Sequence, residues 1–92
     1  MFFKPAVVEE VEAVFEDLLI DWVALEPNSP GVDKSIAELA IRRTTGVSII
    51  AIIRGAQAII APEPSEIMRA SDRLVVVSRP QDLGPFRDLV VG

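Results

Sequence analysis

Side chains able to do covalent or metal chemistry are scarce in this sequence. It has no histidine and no cysteine, which excludes a disulfide staple, a thiolate zinc site and any Cys/His catalytic pair, and leaves carboxylates as the only anionic metal ligands. The downstream carboxylate pairs are Asp33 with Glu38, Glu63 with Glu66, and Asp72 with Asp82. Each reads as a helix cap, a solvated loop or a turn residue, and a carboxylate without an apolar pocket stays ionised and cannot act as a general acid near neutral pH. Ser29, Ser35, Thr44, Thr45 and Ser48 lack a histidine to activate them, and the only lysines, Lys4 and Lys34, are expected to be exposed. The glycines form no phosphate-cradling fingerprint. The sequence therefore predicts no enzyme, no metal site and no resident cofactor.

Arginine is the chemistry that remains. Arg42, Arg43, Arg54, Arg69, Arg73, Arg79 and Arg87 each offer a planar fork for phosphate or carboxylate. Arg54 is distinctive because it ends a very apolar run at a two-residue turn. A guanidinium beside branched aliphatic surface suits a phosphate and a base together; the competing reading is a strand-end arginine that keeps its charge in water. Arg42 and Arg43 fall in the last turn of a helix, where the helix dipole is reason enough for them. Trp22 and Phe86 sit in apolar patterns rather than among basic residues, and no basic recognition helix is visible, so no nucleic-acid partner is expected.

The elements that must position these side chains follow from periodicity. Val7, Val8, Val11, Val14, Phe15, Leu18 and Leu19 recur at the spacing of one helical face, and Pro5 suits the first turn, which predicts an amphipathic acidic helix over Pro5 to Leu19. Asp21 to Pro27 reads as a strand leading into the turn cluster Pro27 to Gly31. Ser35 with Glu38 forms a capping-box pattern and Gly46 stands at a C-cap, which predicts a helix over about Lys34 to Thr44. Val47 to Arg54, Gln57 to Ala61 and Arg73 to Ser78 are near-continuously hydrophobic, as strands covered on both faces are. Gly55 and Ala56 between the first two fit a tight hairpin turn with glycine first. Ser65 to Met68 is read as a helical turn, and Pro80 to Val90 as a helix whose Gly84 and Pro85 weaken its continuity. After the first helix the order is strand, helix, three strands, helix: an α+β fold with a small sheet flanked by helices.

A chain of 92 residues buries only about 60–65% of the surface its unfolded form exposes. Without staples it needs a partner, so an oligomer is expected. Charge divides the chain in two. Through Pro30 seven acids face Lys4 alone, whereas beyond it seven acids face eight bases, seven of them arginine. This suggests two modules. No positively charged start leads into an apolar core and cleavage site, and Ile49 to Ile53 is far shorter than the roughly 20 residues a bilayer needs. A cytoplasmic protein without membrane insertion is expected.

The middle of the chain resembles the C-terminal domain of regulators of potassium conductance, also called TrkA-C or RCK_C. Several separated pieces match in order: Gly31, Ser35 through Leu39, the corner Thr45-Gly46-Val47, the strand end Ala51 to Arg54, Pro62-x-Pro64, Asp72 before a valine-rich strand, and the helix start Pro80 to Leu83. The resemblance covers about 55 residues and leaves the first 20 outside, which implies an N-terminal segment, 1–20, and a ligand-sensing unit, 21–92. Two departures stand out: Ser71 and Ser78 occupy positions where members usually have glycine, and both need small residues for tight turns.

The resemblance implies a homodimeric ligand-sensing domain, peripheral to a membrane potassium channel, transporter or antiporter, and in several such proteins the dimer interface binds cyclic di-AMP. Carried over, the ligand-binding candidates are Ile53, Arg54, Gly55, Ala56, Ala61 and Pro62. Isoleucine and proline faces would pack on adenine, Arg54 would meet phosphate, and backbone near Gly55 can be approached closely. A polar residue before that proline is common in ligand-binding relatives, and Ala61 has no side-chain hydrogen bond to offer a base. Two further readings stay open, a dimerisation module without ligand and the sensor of a transcription regulator. If Arg54 is an exposed ligand contact, its removal should leave folding nearly unchanged.

Overall fold

A computed structural model describes residues 18–92. All but the end of the expected helix Pro5 to Leu19 lies outside these residues. Four antiparallel strands, β1 (Leu19–Ala24), β2 (Ser48–Arg54), β3 (Gln57–Ile60) and β4 (Arg73–Ser78), form one sheet in the order β1-β4-β2-β3. Helices α1 (Ile36–Leu39), α2 (Ile41–Thr45) and α3 (Pro80–Val90) complete it. The α+β class and the element order are as the sequence predicts.

Three local expectations are corrected. Strand β1 begins at Leu19 and ends at Ala24, because Leu19 and Ile20 pair with Ser78 and Val77. They belong to the sheet rather than to a preceding helix, so the division at 20/21 falls inside a strand. Leu25 then buries its side chain while its N–H donates to Asp72 O at 2.9 Å. The single helix expected near Lys34 to Thr44 is two short ones, broken at Ala40, whose φ of 46° is left-handed. The break lets Ile36 and Leu39 pack at the edge of the core while Ile41 and Thr45 are fully turned into it. Ser65 to Met68 is no helical turn: Glu66 N–H donates to Glu63 O at 2.9 Å, and Ile67 bridges Ser35 as an isolated extended pair. Helix α3 spans Pro80–Val90 as expected and runs unbroken through Gly84 and Pro85, both exposed.

The predicted local devices are present. Glu38 N–H donates to Ser35 Oγ at 3.0 Å and Ser35 N–H to Glu38 Oε1 at 2.8 Å, a complete capping box. Gly46 caps α2 at φ 81°, donating to Arg42 O. Arg54 pairs with Gln57 across Gly55, whose φ of 61° a side-chain-bearing residue rarely adopts.

Cross-strand register sorts the sheet into two faces. Val23, Leu74, Val76 and Ile52 share the inner face and meet Phe86 and Val90 of α3, with Ile41, Val47 and Met68 closing the core. Each is at most 1% exposed. The other face carries Ile20, Trp22, Val75, Val77, Ala51, Ile53 and Ile60.

Candidate functional site

Arg54 closes β2, and its guanidinium crosses to the loop that enters β4. Nε donates to Asp72 Oδ1 at 2.9 Å, and Nη2 donates to Asp72 Oδ2 at 2.8 Å and to Ile67 O at 2.9 Å. Nη1 lies 3.5 Å from Glu66 Oε2. Asp72 is 1% exposed, and its Oδ2 also accepts from the Arg69 backbone N–H at 2.8 Å. Burial pushes the Asp72 carboxyl upward, but the hydrogen bonds from Arg54 and Arg69 outweigh it and hold the group below the usual carboxylate range. The hydrogen bond to Asp72 raises Arg54 in turn. The expectation of an exposed strand-end arginine indifferent to folding is thus overturned: two thirds of this side chain is covered, and its fork is the partner of a buried anion.

The six ligand candidates fall into two groups. Ile53, Arg54, Gly55 and Ala56 lie at the turn of the hairpin, with Ile53 on the outer face opposite Arg73 and Ala58. Ala61 and Pro62 lie past the far end of β3, where Ala61 N–H donates to Ile50 O at 2.9 Å. Four residue steps along the chain lead from Gln57 to Ala61, about 14 Å at strand rise. A single chain therefore presents two separate patches.

Beside the second patch lies a groove of about 290 Å³. Ile36, Ile41, Val47, Ile49, Pro62 and Pro64 supply its apolar lining, and Ser48, Arg42 and Arg43 its polar members. Two backbone bonds tie α1 to the proline loop, from Ala37 N–H to Pro64 O at 2.8 Å and from Ile36 N–H to Glu66 O at 3.2 Å. Ala40, which lines the groove, and Ala61, which precedes Pro62, are both left-handed, at φ 46° and 50°. Such residues cost about 1–3 kcal/mol each and persist only where surrounding bonds over-determine them. Sequence reasoning assigned Arg42 and Arg43 to the helix dipole alone; their place beside Pro62 depends on the Ala40 break, which has no local signature.

A second surface was also missed. On the outer sheet face Ile20 is 68% exposed, Trp22 53% and Ile60 71%. Arg73 lies over the Trp22 ring at 5.4 Å from its centroid. The central strand residues on this face, Ala51 and Val75, are buried, whereas Ile20, Trp22 and Ile60 around them are exposed.

Among the described residues no group of His, Cys, Asp and Glu side chains could hold a metal ion, and no helix is long and apolar enough to cross a membrane.

Comparison with known proteins adds the lineage. The K(+)/H(+) antiporter subunit KhtT of Bacillus subtilis is 32% identical over 77 residues, 83% of this chain and 47% of that protein. The Ktr system potassium uptake protein C of Bacillus subtilis is 31% identical over 85 residues, 92% of this chain and 37% of that protein. The chain thus spans less than half the length of either relative. Among solved structures, the RCK C domain of the potassium transport protein KtrA, in complex with cyclic diadenosine monophosphate, superposes with a TM-score of 0.74 at 28% identity and covers 95% of this chain and 100% of that one. Residues 21–91, which contain the four-stranded sheet but for its first two residues, the Arg54–Asp72 pair and the proline-lined groove, match the TrkA-C domain, and the chain belongs to that family.

Proposed function

We propose that this chain is a regulatory, non-catalytic domain that pairs with a second copy of itself, binds a cyclic dinucleotide between the two copies, and passes that signal to a potassium or other cation transport protein. The observation that carries this reading is the likeness, over nearly the whole chain, to the KtrA domain solved with cyclic di-AMP. The two-patch geometry supports it. Ile53, Arg54, Gly55 and Ala56 at one end of the hairpin, and Ala61 and Pro62 at the other, contribute together when a ligand lies between copies. The Arg54 fork is committed to Asp72, so its contribution to a phosphate comes through Nη1, in place of Glu66. The outer sheet face, with Ile20, Trp22 and Ile60 exposed, is the apolar surface a second copy would cover.

Sedimentation equilibrium combined with titration calorimetry tests the reading. A dimer of the 10.0 kDa chain that binds cyclic di-AMP with one ligand per two chains supports it. A dimer that gives no heat with cyclic di-AMP leaves a dimerisation module, and a monomer at micromolar concentration with or without ligand overturns the reading.

A further inference from the structure

We infer that Glu66 is a built-in competitor for the ligand's phosphate: it occupies Nη1 of Arg54 in the free chain and yields that nitrogen only to an anion anchored elsewhere on the protein. The inference rests on the ligand reading above and names the residue that sets how strongly, and how selectively, Arg54 takes an anion.

The guanidinium divides its nitrogens unequally. Nε and Nη2 donate to Asp72 and the Ile67 carbonyl at 2.8 to 2.9 Å, whereas among the described residues Nη1 pairs only with Glu66 Oε2, at 3.5 Å and without a hydrogen bond. The two carboxylates differ in what their release costs. Asp72 is 1% exposed, so losing Arg54 would strand a buried anion. The Glu66 side chain is 29% exposed and reaches water by a rotamer change. One nitrogen is therefore exchangeable and the other two are not.

The backbone beneath Glu66 holds it to this position. Its N–H donates to Glu63 O at 2.9 Å, its carbonyl accepts from Ile36 N–H at 3.2 Å, and Ile67 pairs with Ser35. Ile67 O in turn accepts from Arg54 Nη2 at 2.9 Å. The side chain can thus leave Nη1 without movement of the loop, and the guanidinium it leaves stays aimed by its hydrogen bonds to Asp72 and Ile67.

Tethering makes the competition selective. A charged group on a short tether acts at an effective concentration of about the millimolar range, so a free anion below that concentration leaves Glu66 in place. A phosphate whose base is already seated on the protein is tethered too, and it meets Glu66 on equal terms. Arg54 and Glu66 together reject free anions and admit a phosphodiester anchored through its bases.

The test is calorimetric titration of the full chain with cyclic di-AMP, with and without inorganic phosphate at matched ionic strength, on the wild type, Glu66→Gln and Glu66→Asp. Glutamine removes the competing charge, and aspartate keeps the charge but is one methylene shorter, which withdraws it from Nη1. Glu66→Gln should bind cyclic di-AMP about two- to fivefold more tightly, the worth of one partly exposed ion pair. Inorganic phosphate should erode that gain and leave the wild type's affinity unchanged, and Glu66→Asp should lie between the two, all with melting temperatures near the wild type. Affinity in Glu66→Gln equal to or weaker than the wild type's overturns the competitor and leaves the dinucleotide reading standing, as does a phosphate effect of equal size in both proteins. Binding of cyclic di-AMP by Glu66→Gln alone upholds both. If neither protein binds the dinucleotide, that reading falls and nitrogen NMR of the Arg54 side chain decides the rest. Resonances that move with inorganic phosphate in Glu66→Gln but not in the wild type uphold the competitor, and resonances unmoved in Glu66→Gln overturn it.

Discussion

Arg54 and Asp72, eighteen residues apart in sequence, meet as a two-point fork, Nε to Oδ1 at 2.9 Å and Nη2 to Oδ2 at 2.8 Å. Asp72 is buried and Arg54 is one third exposed, so the pair stands between a surface bridge worth about 0–1 kcal/mol and a buried one whose rupture costs about 3–5 kcal/mol. Arg54→Ala should therefore destabilise the fold by about 2 kcal/mol, read from urea unfolding. Adding Asp72→Asn should cost less than the sum of the two single changes, because the first substitution already strands the carboxylate. Strict additivity would show that the fork carries no coupling.

The same pair sets an acid response. The Asp72 carboxyl is held below its ordinary value of about 3.9. Between the folded and unfolded values the unfolded chain binds more protons, so stability rises with pH in that window. The contribution is complete above about pH 5 and lost as pH falls through the depressed folded value. Asp72→Asn, though less stable at neutral pH, should show a shallower loss of stability below about pH 4. Glu38, held down by its hydrogen bonds with the Ser35 backbone and hydroxyl, titrates in the same sense and accounts for part of the remaining slope.

Ser71 adopts a left-handed φ of 71° just before the buried Asp72. A side-chain-bearing residue pays about 1–2 kcal/mol there, whereas glycine loses about 0.5–1 kcal/mol of extra chain entropy. Ser71→Gly should then raise stability by about 0.5–1 kcal/mol and Ser71→Val should lower it by more than 1 kcal/mol, both measured by thermal unfolding.

Ser78 is 2% exposed, and its hydroxyl finds no hydrogen-bond partner among the described residues. Burying such a group costs about 1–3 kcal/mol. Ser78→Ala keeps the small volume and removes the cost, so it should stabilise the protein by about 1 kcal/mol; a destabilising effect of that size would mean the hydroxyl is satisfied in solution.

Trp22 is the sole tryptophan and lies on the outer sheet face. If a second copy covers that face, acrylamide quenching of Trp22 should fall as protein concentration rises. Ile60→Asp should abolish this dependence and leave a monomer with an unchanged inner core, because Ile60 is 71% exposed in the single chain.

Much of this architecture was legible in local signals, because local physics decides those features. Gly55-Ala56 fixes the hairpin register, Ser35 with Glu38 starts α1, and Gly46 ends α2. The start of β1 was not legible, since Leu18 and Leu19 also fit a helical stripe and only pairing with Ser78 settles Leu19 as strand. The break at Ala40 was hidden because alanine favours helix and gives no hint of left-handed backbone. At the candidate site, the strand-end arginine and the prolines were visible as types. The partner of Arg54 and the groove beside Arg42 and Arg43 were not, because both arise from contacts between segments distant in sequence.

Strand β4 occupies the middle of the sheet although it is the last strand made, joining Leu19 and Ser78 across about 60 residues of chain. During synthesis β1 must wait for residues 73–78 to emerge before it has any strand to pair with, while β2 and β3 can already close their hairpin. Folding dominated by such distant pairing is slow, on the millisecond-to-second scale. Local closure makes the hairpin the first unit of the sheet able to form, and β1 joins only when β4 is in place. A nascent chain ending before Arg73 holds the outermost strand, the buried Leu25 and an unclosed inner face in search of a partner, which makes that stage of synthesis the most exposed to misassociation between neighbouring chains.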